Sequence, residues 1–242
     1  MKLNETSLTP LYQQLLEEIK YCIESGKYAY EEKIPTEPEL SEKYGVSRIT
    51  VRRAVDELCT EGYLIKKQGK GTFVCRPKML RKIARTNDVQ GFSEACRANN
   101  MTPGAKVISI QTSIARLDEA QFFHIEENAK VLYSQRVRTA DDIPIMLENN
   151  FFPYEEFFYL ESENLNDVSL FKTLEKHGVE VKETVKSTLE IVKAEAYHAK
   201  LLDVAVGEPL FYMNAYFTDT KGRPVFIGRQ YMVGSRYVFH DI

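Results

Sequence analysis

Two short helical patterns separated by one glycine constrain the fold of this chain more than any other feature of its sequence. Thr36 and Glu39 have the spacing of an N-terminal capping box, which predicts a helix beginning after Thr36. Gly45 interrupts the helical pattern, and Ser47 is a suitable N-cap for the helix that follows. Helix, glycine turn and helix together are typical of a helix-turn-helix motif. The apolar spacing of residues 8–25 predicts a further amphipathic helix before it.

The second of these helices has an apolar face and an arginine-bearing face. At 100° per residue, one side collects the apolar residues Val51, Ala54, Val55 and Leu58. The opposite side carries Arg52 and Arg53, and Arg48 lies on its flank. The N-terminal half of such a helix contacts base edges when it enters the major groove, where arginine pairs with guanine. A solvent-exposed basic face without a partner is the alternative interpretation.

Directly after this helix, the stretch YLIKKQGKGTFV predicts a basic β-hairpin. Its two β-prone runs, at 64–65 and 73–74, are separated by a turn that contains Gly69 and Lys70. A basic hairpin in this position is typical of the wing of a DNA-binding domain, which contacts phosphates or the minor groove.

The charge distribution indicates one anionic partner for this region. The chain of 242 residues has formal net charge −3, yet residues 43–78 hold nine basic residues against three acidic ones, a local charge of +6. A basic patch on an acidic protein favours a specific partner, here double-stranded DNA, over general affinity for polyanions.

Composition excludes several other classes of protein. No apolar run reaches the length of a membrane helix, and the N-terminus lacks a signal-peptide pattern, so we expect a cytoplasmic protein that does not bind membranes. The four cysteines are widely spaced and form no CxxC pair. We therefore expect free thiols, with neither a metal site nor a cofactor.

The continuous stretch IPTEPELSEKYGVSRITVRRAVDELCTEGYLIKKQGKGTFV resembles the winged-helix domain of GntR-family bacterial transcription regulators. The resemblance implies DNA contacts from the second helix and from the wing. The complete set of predicted DNA-binding residues is Thr36, Ser47, Arg48, Thr50, Arg52, Arg53, Gly69 and Lys70. Where many members have a DNA-contacting arginine, this chain has Pro38, which affects part of the half-site contact but not DNA binding itself.

We predict a winged helix-turn-helix domain at 1–75, a basic linker at 76–88 and a second domain at 89–242. The second domain contains an internal repeat, in which 131–148 and 209–228 each give a strand, a turn, an x-Pro pair and another strand. A helix-like segment precedes each copy. This pattern predicts an α+β domain, with helices packed on one face of an antiparallel sheet.

The second domain resembles the UTRA ligand-sensing domain, whose fold is similar to that of chorismate lyase. A GntR reader followed by a UTRA domain is the HutC-type architecture. The resemblance covers residues 89–242 and implies a binding site for a small effector.

Within the first copy of the repeat, Arg136 and Arg138 alternate along a strand and therefore face the same side of the sheet. Two adjacent guanidinium groups repel each other unless an anion lies between them. Counting along the second copy places Asn214 and Tyr216 at the matching positions, so the repeat does not need arginines to fold. A structural salt bridge, for example to Glu148, remains the alternative interpretation.

Several HutC-type regulators bind phosphorylated sugars, and in those that resemble this chain the matching residues hold the phosphate. The resemblance thereby implies an effector site formed by Ser93, Arg136, Arg138 and Ser169, with Glu148 directed at the sugar or amine end. The acidic residue usual two positions after the second proline is Phe226 here. We therefore expect an effector other than a simple aminosugar phosphate, with an apolar or planar part.

The sequence as a whole predicts a ligand-responsive repressor. A homodimer would present two recognition helices to a pseudo-palindromic operator, and a small anionic effector would weaken that binding. A non-phosphorylated carboxylate is an alternative effector, because an arginine pair binds carboxylates as well. A regulator without any ligand is another possibility. An enzyme is disfavoured, since no catalytic triad, metal cluster or glycine-rich phosphate loop is present in the sequence.

Overall fold

A computed structural model describes residues 3–4, 7–75, 78–83 and 89–241, with the backbone alone for 80–83 and 240–241. The chain divides into two units, Met1–Lys78 and Met79–Ile242. Each unit has its own hydrophobic core.

The first unit contains three helices and a β-hairpin, which confirms the predicted winged helix-turn-helix. The helices are α1 (Leu11–Glu24), α2 (Glu37–Tyr44) and α3 (Arg48–Thr60), and the hairpin strands are β1 (Leu64–Lys67) and β2 (Gly71–Val74). The helices and the hairpin share one core, which includes Ile19, Leu40, Val51, Leu58, Leu64 and Val74. Packing of the α3 apolar face into this core leaves the opposite face of the helix at the surface.

Local hydrogen bonds place the ends of α2 and α3 where the sequence predicts them. The backbone N–H and the hydroxyl of Thr36 each donate to Glu39 at 2.7 Å. Gly45 ends α2 in the left-handed region, at φ 68°, which glycine adopts without strain. The hydroxyl of Ser47 accepts from the Thr50 backbone N–H at 3.1 Å and so caps α3.

The segment predicted as a linker, 76–88, contains a strand of the second unit. Strand β3 (Met79–Ile83) pairs in parallel with β10 (Tyr237–Asp241), and the Met79 side chain is fully buried. The partner strand lies far along the chain, so no local pattern indicates the pairing. Residues 76–77 and 84–88 lie outside the described part of the chain.

The second unit is built around an antiparallel sheet, as predicted, and this sheet has six strands. In spatial order the strands are β4 (Pro103–Ile114), β5 (Lys130–Ala140), β6 (Ile143–Pro153), β9 (Pro224–Val233), β8 (Pro209–Asp219) and β7 (Val181–Lys193). The helices are α4 (Phe92–Ala98), α5 (Leu117–Phe123), α6 (Tyr154–Phe157), α7 (Leu170–Lys176) and α8 (Ala196–Leu202), and a 3₁₀ turn spans Phe158–Glu161.

The internal repeat is larger than the sequence predicts. The first copy runs α4, β4, α5, β5, β6, and the second runs α7, β7, α8, β8, β9, so the sheet order is symmetric about its centre. At the centre, Asn149 on β6 lies opposite Arg229 on β9, eighty positions later. The two copies are therefore related by an approximate twofold axis through this residue pair.

Helices cover both faces of the sheet, so the prediction of helices on one face was wrong. On one face, called here the α4/α7 face, Phe92 of α4 and Leu170 of α7 belong to the clusters that contain Met146 and Phe152. On the other, the α5/α8 face, Phe123 of α5 and Leu202 of α8 join separate clusters. Helices of seven residues are too short for their apolar period to indicate which face of a sheet they cover.

Candidate functional site

The exposed face of α3 carries the predicted DNA-contacting residues. Arg48 is exposed, and the side chain of Arg52 is 70% exposed, with its Nε 3.4 Å from a carboxylate oxygen of Glu37. The hydroxyls of Ser47 and Thr50 lie 2.8 Å apart at the start of the same helix. An ion pair as exposed as Arg52–Glu37 contributes little to stability. The Arg52 guanidinium therefore remains available to an external anion.

Arg53 differs from its neighbours because it has an aromatic partner within the unit. Its guanidinium carbon lies 3.7 Å from the centre of the Tyr12 ring in α1. The sequence predicts a phosphate-facing or solvent-facing residue at this position. The structure shows that Arg53 also joins α3 to α1.

The hairpin holds one of its lysines in ion pairs and leaves its turn exposed. Lys66 lies 2.8 Å from Asp56 and 3.1 Å from Glu37. Gly69, at φ 71°, forms the turn, and Lys70 beside it is exposed. Glu37, which no sequence signal singled out, therefore contacts both α3 and the hairpin.

Arg136 and Arg138 are buried on the α4/α7 face, with 0% and 3% of each residue exposed. Glu148 lies directly opposite Arg136 across the β5–β6 ladder and accepts from its Nε at 3.0 Å. The nearest guanidinium nitrogen of Arg138 is 3.5 Å from the same carboxylate. The salt bridge that the sequence left open is thus present, and Glu148 faces the arginines. Two buried positive charges still share one negative charge.

Segments from four parts of the second unit meet around this arginine pair. Arg138 donates to the Ser93 hydroxyl of α4 at 3.0 Å, and Arg136 donates to the Val168 carbonyl at 3.3 Å. Ser169, the next residue, caps α7 by accepting from a backbone N–H at 3.5 Å. The five residues predicted for the effector site therefore lie in one neighbourhood.

The electrostatics of the cluster favour one more anion. Burial lowers the pKa of Arg138 to about 10, and repulsion from Arg136 acts in the same direction against the opposing effect of Glu148. Burial works against ionisation of Glu148, but the two arginines outweigh it and hold the pKa of that carboxyl below its usual range. The cluster is charged and has a net positive charge of one.

Sequence reasoning missed three buried polar side chains beside this cluster. Ser134, Asn150 and Gln230 are 0%, 0% and 6% exposed on the α4/α7 face. Among the residues that the structure describes, no hydrogen-bond partner exists for the Ser134 hydroxyl, both polar atoms of the Asn150 amide or the Gln230 carbonyl oxygen. A signal was available, because Ser134 and Asn150 lie two positions from Arg136 and Glu148 on the same strands.

The strand register corrects the predicted match between the two copies. Asn214 and Tyr216 point to the α5/α8 face, where Tyr216 belongs to the cluster around α5. The residues that match Arg136 and Arg138 through the hairpin ladders are Ala215 and Phe217, which pair with Gly228 and Phe226 as the arginines pair with Glu148 and Met146. The turn of the second hairpin is one residue longer than the turn of the first. The predicted match was therefore displaced by one residue, and such a displacement moves every matched side chain to the other face of the sheet.

Phe226 lies in an aromatic group at the end of this polar region. Its ring is stacked on Phe217 at 4.3 Å between centroids and lies 5.3 Å from Phe152. Phe171 of α7 contacts it edge-on at 6.1 Å. The residue that replaces the expected acid is therefore part of an apolar wall.

The α5/α8 face contains a cavity of about 470 Å³, and several of the polar side chains that line it have partners within the second unit. Its arginine, Arg229, donates to Glu119 at 2.6 Å and to Asp118 at 2.7 Å. Asn149 accepts from Tyr133 at 2.7 Å and from Gln135 at 2.8 Å. Because two acids balance Arg229, the unbalanced positive charge lies on the α4/α7 face.

The described residues hold neither a cluster of metal-ligating side chains nor a helix that could span a membrane. In residues 3–4, 7–75, 78–83 and 89–241, no group of three or more His, Cys, Asp or Glu side chains could hold a metal ion. In the same part of the chain, no helix is both long enough and apolar enough to cross a membrane.

Two families match consecutive parts of the chain. Residues 11–74 match the family described as "Bacterial regulatory proteins, gntR family", and residues 98–238 match the UTRA domain. This is the combination predicted from the sequence, which is thereby confirmed.

Individual proteins resemble nearly the whole chain. The uncharacterized HTH-type transcriptional regulator YurK of Bacillus subtilis is 34% identical over 98% of this chain and 97% of its own. The probable fructoselysine utilization operon transcriptional repressor of Escherichia coli K12 is 30% identical, over 93% and 91%. The crystal structure of PhnF from Mycobacterium smegmatis has the same fold, with a TM-score of 0.78 at 24% identity over 94% of this chain and 98% of that one.

Proposed function

The chain belongs to the gntR family of bacterial regulatory proteins and carries a UTRA domain, and from this membership we propose that it is a repressor released from its operator by a small anionic effector. A homodimer presents two α3 helices to a pseudo-palindromic duplex. The effector carries a phosphate that is held by Arg136, Arg138, Ser93 and Ser169. It is a phosphorylated sugar or a derivative of one.

The observation that carries the effector proposal is the buried positive charge on the α4/α7 face. Burying an arginine without a full complement of acids lowers stability, because the charged form loses its water. A phosphate restores the balance and accepts the strong, charge-assisted hydrogen bonds that guanidinium groups donate. The fructoselysine operon repressor, whose name contains a sugar derivative, supports the choice of a sugar.

The observation that carries the DNA proposal is the contrast between the two faces of α3. Its apolar face is buried in the core of the first unit, while Arg48 and Arg52 are exposed and Thr50 is half-buried. In this position, arginine side chains can reach base edges without disturbing the core. Lys70 at the tip of the hairpin is placed to contact a phosphate.

The effector proposal is tested by thermal denaturation with a panel of hexose 6-phosphates. At a hundredfold excess over its Kd, a true effector stabilises the protein by about 2.7 kcal/mol. Arg138→Gln should abolish this shift, whereas Arg229→Gln, which removes a buried arginine from the other face, should lower the melting temperature but keep the shift. Stabilisation by carboxylates alone would favour the carboxylate alternative. An undiminished shift in Arg138→Gln would exclude this site.

The DNA proposal is tested by gel shift on a duplex that the wild-type protein selects from a random pool. Arg52→Ala should weaken specific binding by about 1–3 kcal/mol, between about fivefold and more than a hundredfold. Arg223→Ala is a suitable control, because that arginine is also exposed and forms an ion pair with Asp219 in the second unit. Equal affinity of Arg52→Ala and wild type would contradict the assignment of α3 as the recognition helix.

A further inference from the structure

We propose that Ser134, Asn150 and Gln230 form a second part of the effector site, which binds the hydroxyl groups of a sugar whose phosphate lies at the arginine pair. This inference rests on the proposed function, because it places the two parts of one ligand on the same face. It assigns a specificity role to three residues outside the predicted anion site.

The strand register places these residues in a continuous polar patch. One row across the sheet reads Arg136, Glu148, Gln230, and the next row along the strands reads Ser134, Asn150, Gly228. All of these side chains lie on the α4/α7 face, and Arg138 extends the patch at one end. The anion residues and the unpartnered polar residues are therefore direct neighbours.

The hydrogen-bonding state of the patch points to a missing partner. The Ser134 hydroxyl, both polar atoms of the Asn150 amide and the Gln230 carbonyl oxygen lack partners among the residues that the structure describes. Buried polar groups are nearly always paired, because leaving one unpaired forfeits its hydrogen bonds to water. A sheet with no use for these groups would be more stable with apolar residues at the three positions.

Gly228 lies at the centre of these groups and is closely surrounded by them. A Cβ atom at this position would lie 3.3 Å from the Asn150 carbonyl oxygen, 3.5 Å from the Gln230 amide nitrogen and 3.1 Å from the Phe217 ring. Any side chain here would therefore press against the two amides. The glycine therefore allows the Asn150 and Gln230 amides to lie close together.

The chemistry of the patch selects neutral groups that both donate and accept hydrogen bonds. An amide and a hydroxyl offer donors and acceptors without charge, which matches the hydroxyls of a sugar. The two rows are separated by two residues along each strand, about 7 Å. This spacing suits a hexose 6-phosphate, with its phosphate at the arginines and its ring hydroxyls at Asn150 and Gln230. Phe217 and Phe226 form the apolar border.

The experiment measures affinities of the full chain by calorimetry for three kinds of probe. Inorganic phosphate tests the anion end alone, and cyclohexyl phosphate adds a ring without hydroxyls. The 6-phosphates of glucose, fructose, mannose, galactose and N-acetylglucosamine add the hydroxyls. At least one hexose 6-phosphate should bind tenfold or more tightly than cyclohexyl phosphate. The inference is overturned if none of them exceeds cyclohexyl phosphate.

The matched variants are Asn150→Leu and Asn149→Leu, adjacent residues on opposite faces of β6. Asn150→Leu removes an unpartnered amide, so it should keep or raise the melting temperature of the ligand-free protein. The preference, which is the ratio of the affinity for the hexose 6-phosphate to that for cyclohexyl phosphate, should fall towards one. Asn149→Leu removes an amide that makes three hydrogen bonds, so it should lower the melting temperature and retain the preference. Ser134→Ala provides a second, smaller change with the expectation of Asn150→Leu. An unchanged preference in both Asn150→Leu and Ser134→Ala would refute the inference.

The design separates failure of this inference from failure of the proposed function. If inorganic phosphate binds in a manner that requires Arg138, but hydroxyls add no affinity, only the present inference fails. If neither phosphate nor any hexose phosphate depends on Arg138, the proposed anion site fails and the inference fails with it.

Discussion

The two copies of the repeat in the second unit share one fold but differ in what they bury. On the α4/α7 face, the first copy carries Arg136, Arg138 and Glu148, while the matching positions of the second carry Ala215, Phe217 and Gly228. Both hairpins lie next to the centre of the same sheet. The second copy shows that apolar residues and a glycine suffice for this hairpin to form, so the charges of the first are not required by the fold.

The comparison also shows one position where the copies agree. Asn150 of the first copy matches Gln230 of the second, eighty positions later, and both place an incompletely paired amide on the same face. The approximate twofold axis brings these two amides close to each other beside Gly228. A neutral polar pair therefore lies at the edge of the charged cluster of the first copy.

The largest expected effect comes from removing the acid that only the first copy has. Glu148→Gln leaves the fully buried Arg136 without its counterion, which should lower the free energy of unfolding by about 3–5 kcal/mol. Urea denaturation followed by circular dichroism measures this change. Arg223→Ala, which breaks an ion pair at a surface-exposed arginine of the second copy, should cost no more than about 1 kcal/mol.

A double variant tests whether that loss arises from the unpaired arginine. Arg136→Met with Glu148→Leu removes both partners of the shorter ion pair, so it should recover part of the stability that Glu148→Gln loses, since only Arg138 then lacks a counterion. The same variant should lose the response to an anionic effector. A double variant as unstable as the single one would show that the unpaired Arg136 is not the cause of the loss.

The next effect concerns the residue that matches Glu148. Gly228→Ala places a methyl group 3.1 Å from the Phe217 ring and 3.3 Å from the Asn150 amide, so the free energy of unfolding should fall by about 1–3 kcal/mol. Gly207→Ala is unsuitable as a control because that glycine has a positive φ of 88°. Gly91→Ala is better, since its new Cβ would meet only ordinary contacts, at 3.4 Å or more. Equal stability of both variants would mean that the space at Gly228 is not confined.

The sequence predicts the first unit more completely than the second, and the reason is the range of the signals. Thr36, Gly45 and Ser47 act within a few residues of themselves, so their caps and turn can be read directly. Strand β3 has its partner at Tyr237–Asp241, and nothing near Met79 indicates that pairing. Short helices such as α5 and α8 carry too little periodicity to reveal the face that they cover.

The sequence predicts the candidate site only in part, because some of its features again depend on residues that are far apart in the chain. The alternation of Arg136 and Arg138 shows that they share a face, whichever face that is. Identifying their true counterparts, Ala215 and Phe217, requires the register, which the longer turn of the second hairpin obscures. The lack of hydrogen-bond partners around Asn150 is a property of packing in three dimensions, and no sequence pattern contains it.

The smallest expected effect is a pH dependence that the first copy has and the second lacks. The arginines hold the pKa of Glu148 below its ordinary value of 4.5, so its stabilising effect is complete above pH 4.5 and is lost as the pH falls through the lower, folded-state value. The difference in unfolding free energy between wild type and Glu148→Gln should therefore be constant near neutral pH. In acid it should narrow by at most about 1.4 kcal/mol per pH unit. Urea denaturation of both proteins from pH 7 to pH 3 measures this. Subtracting the variant removes the contributions of other acids with lowered pKa values, such as Asp118 and Asp219. A difference that widened in acid would mean that Glu148 is neutral in the folded protein, and that the arginine pair has no internal counterion.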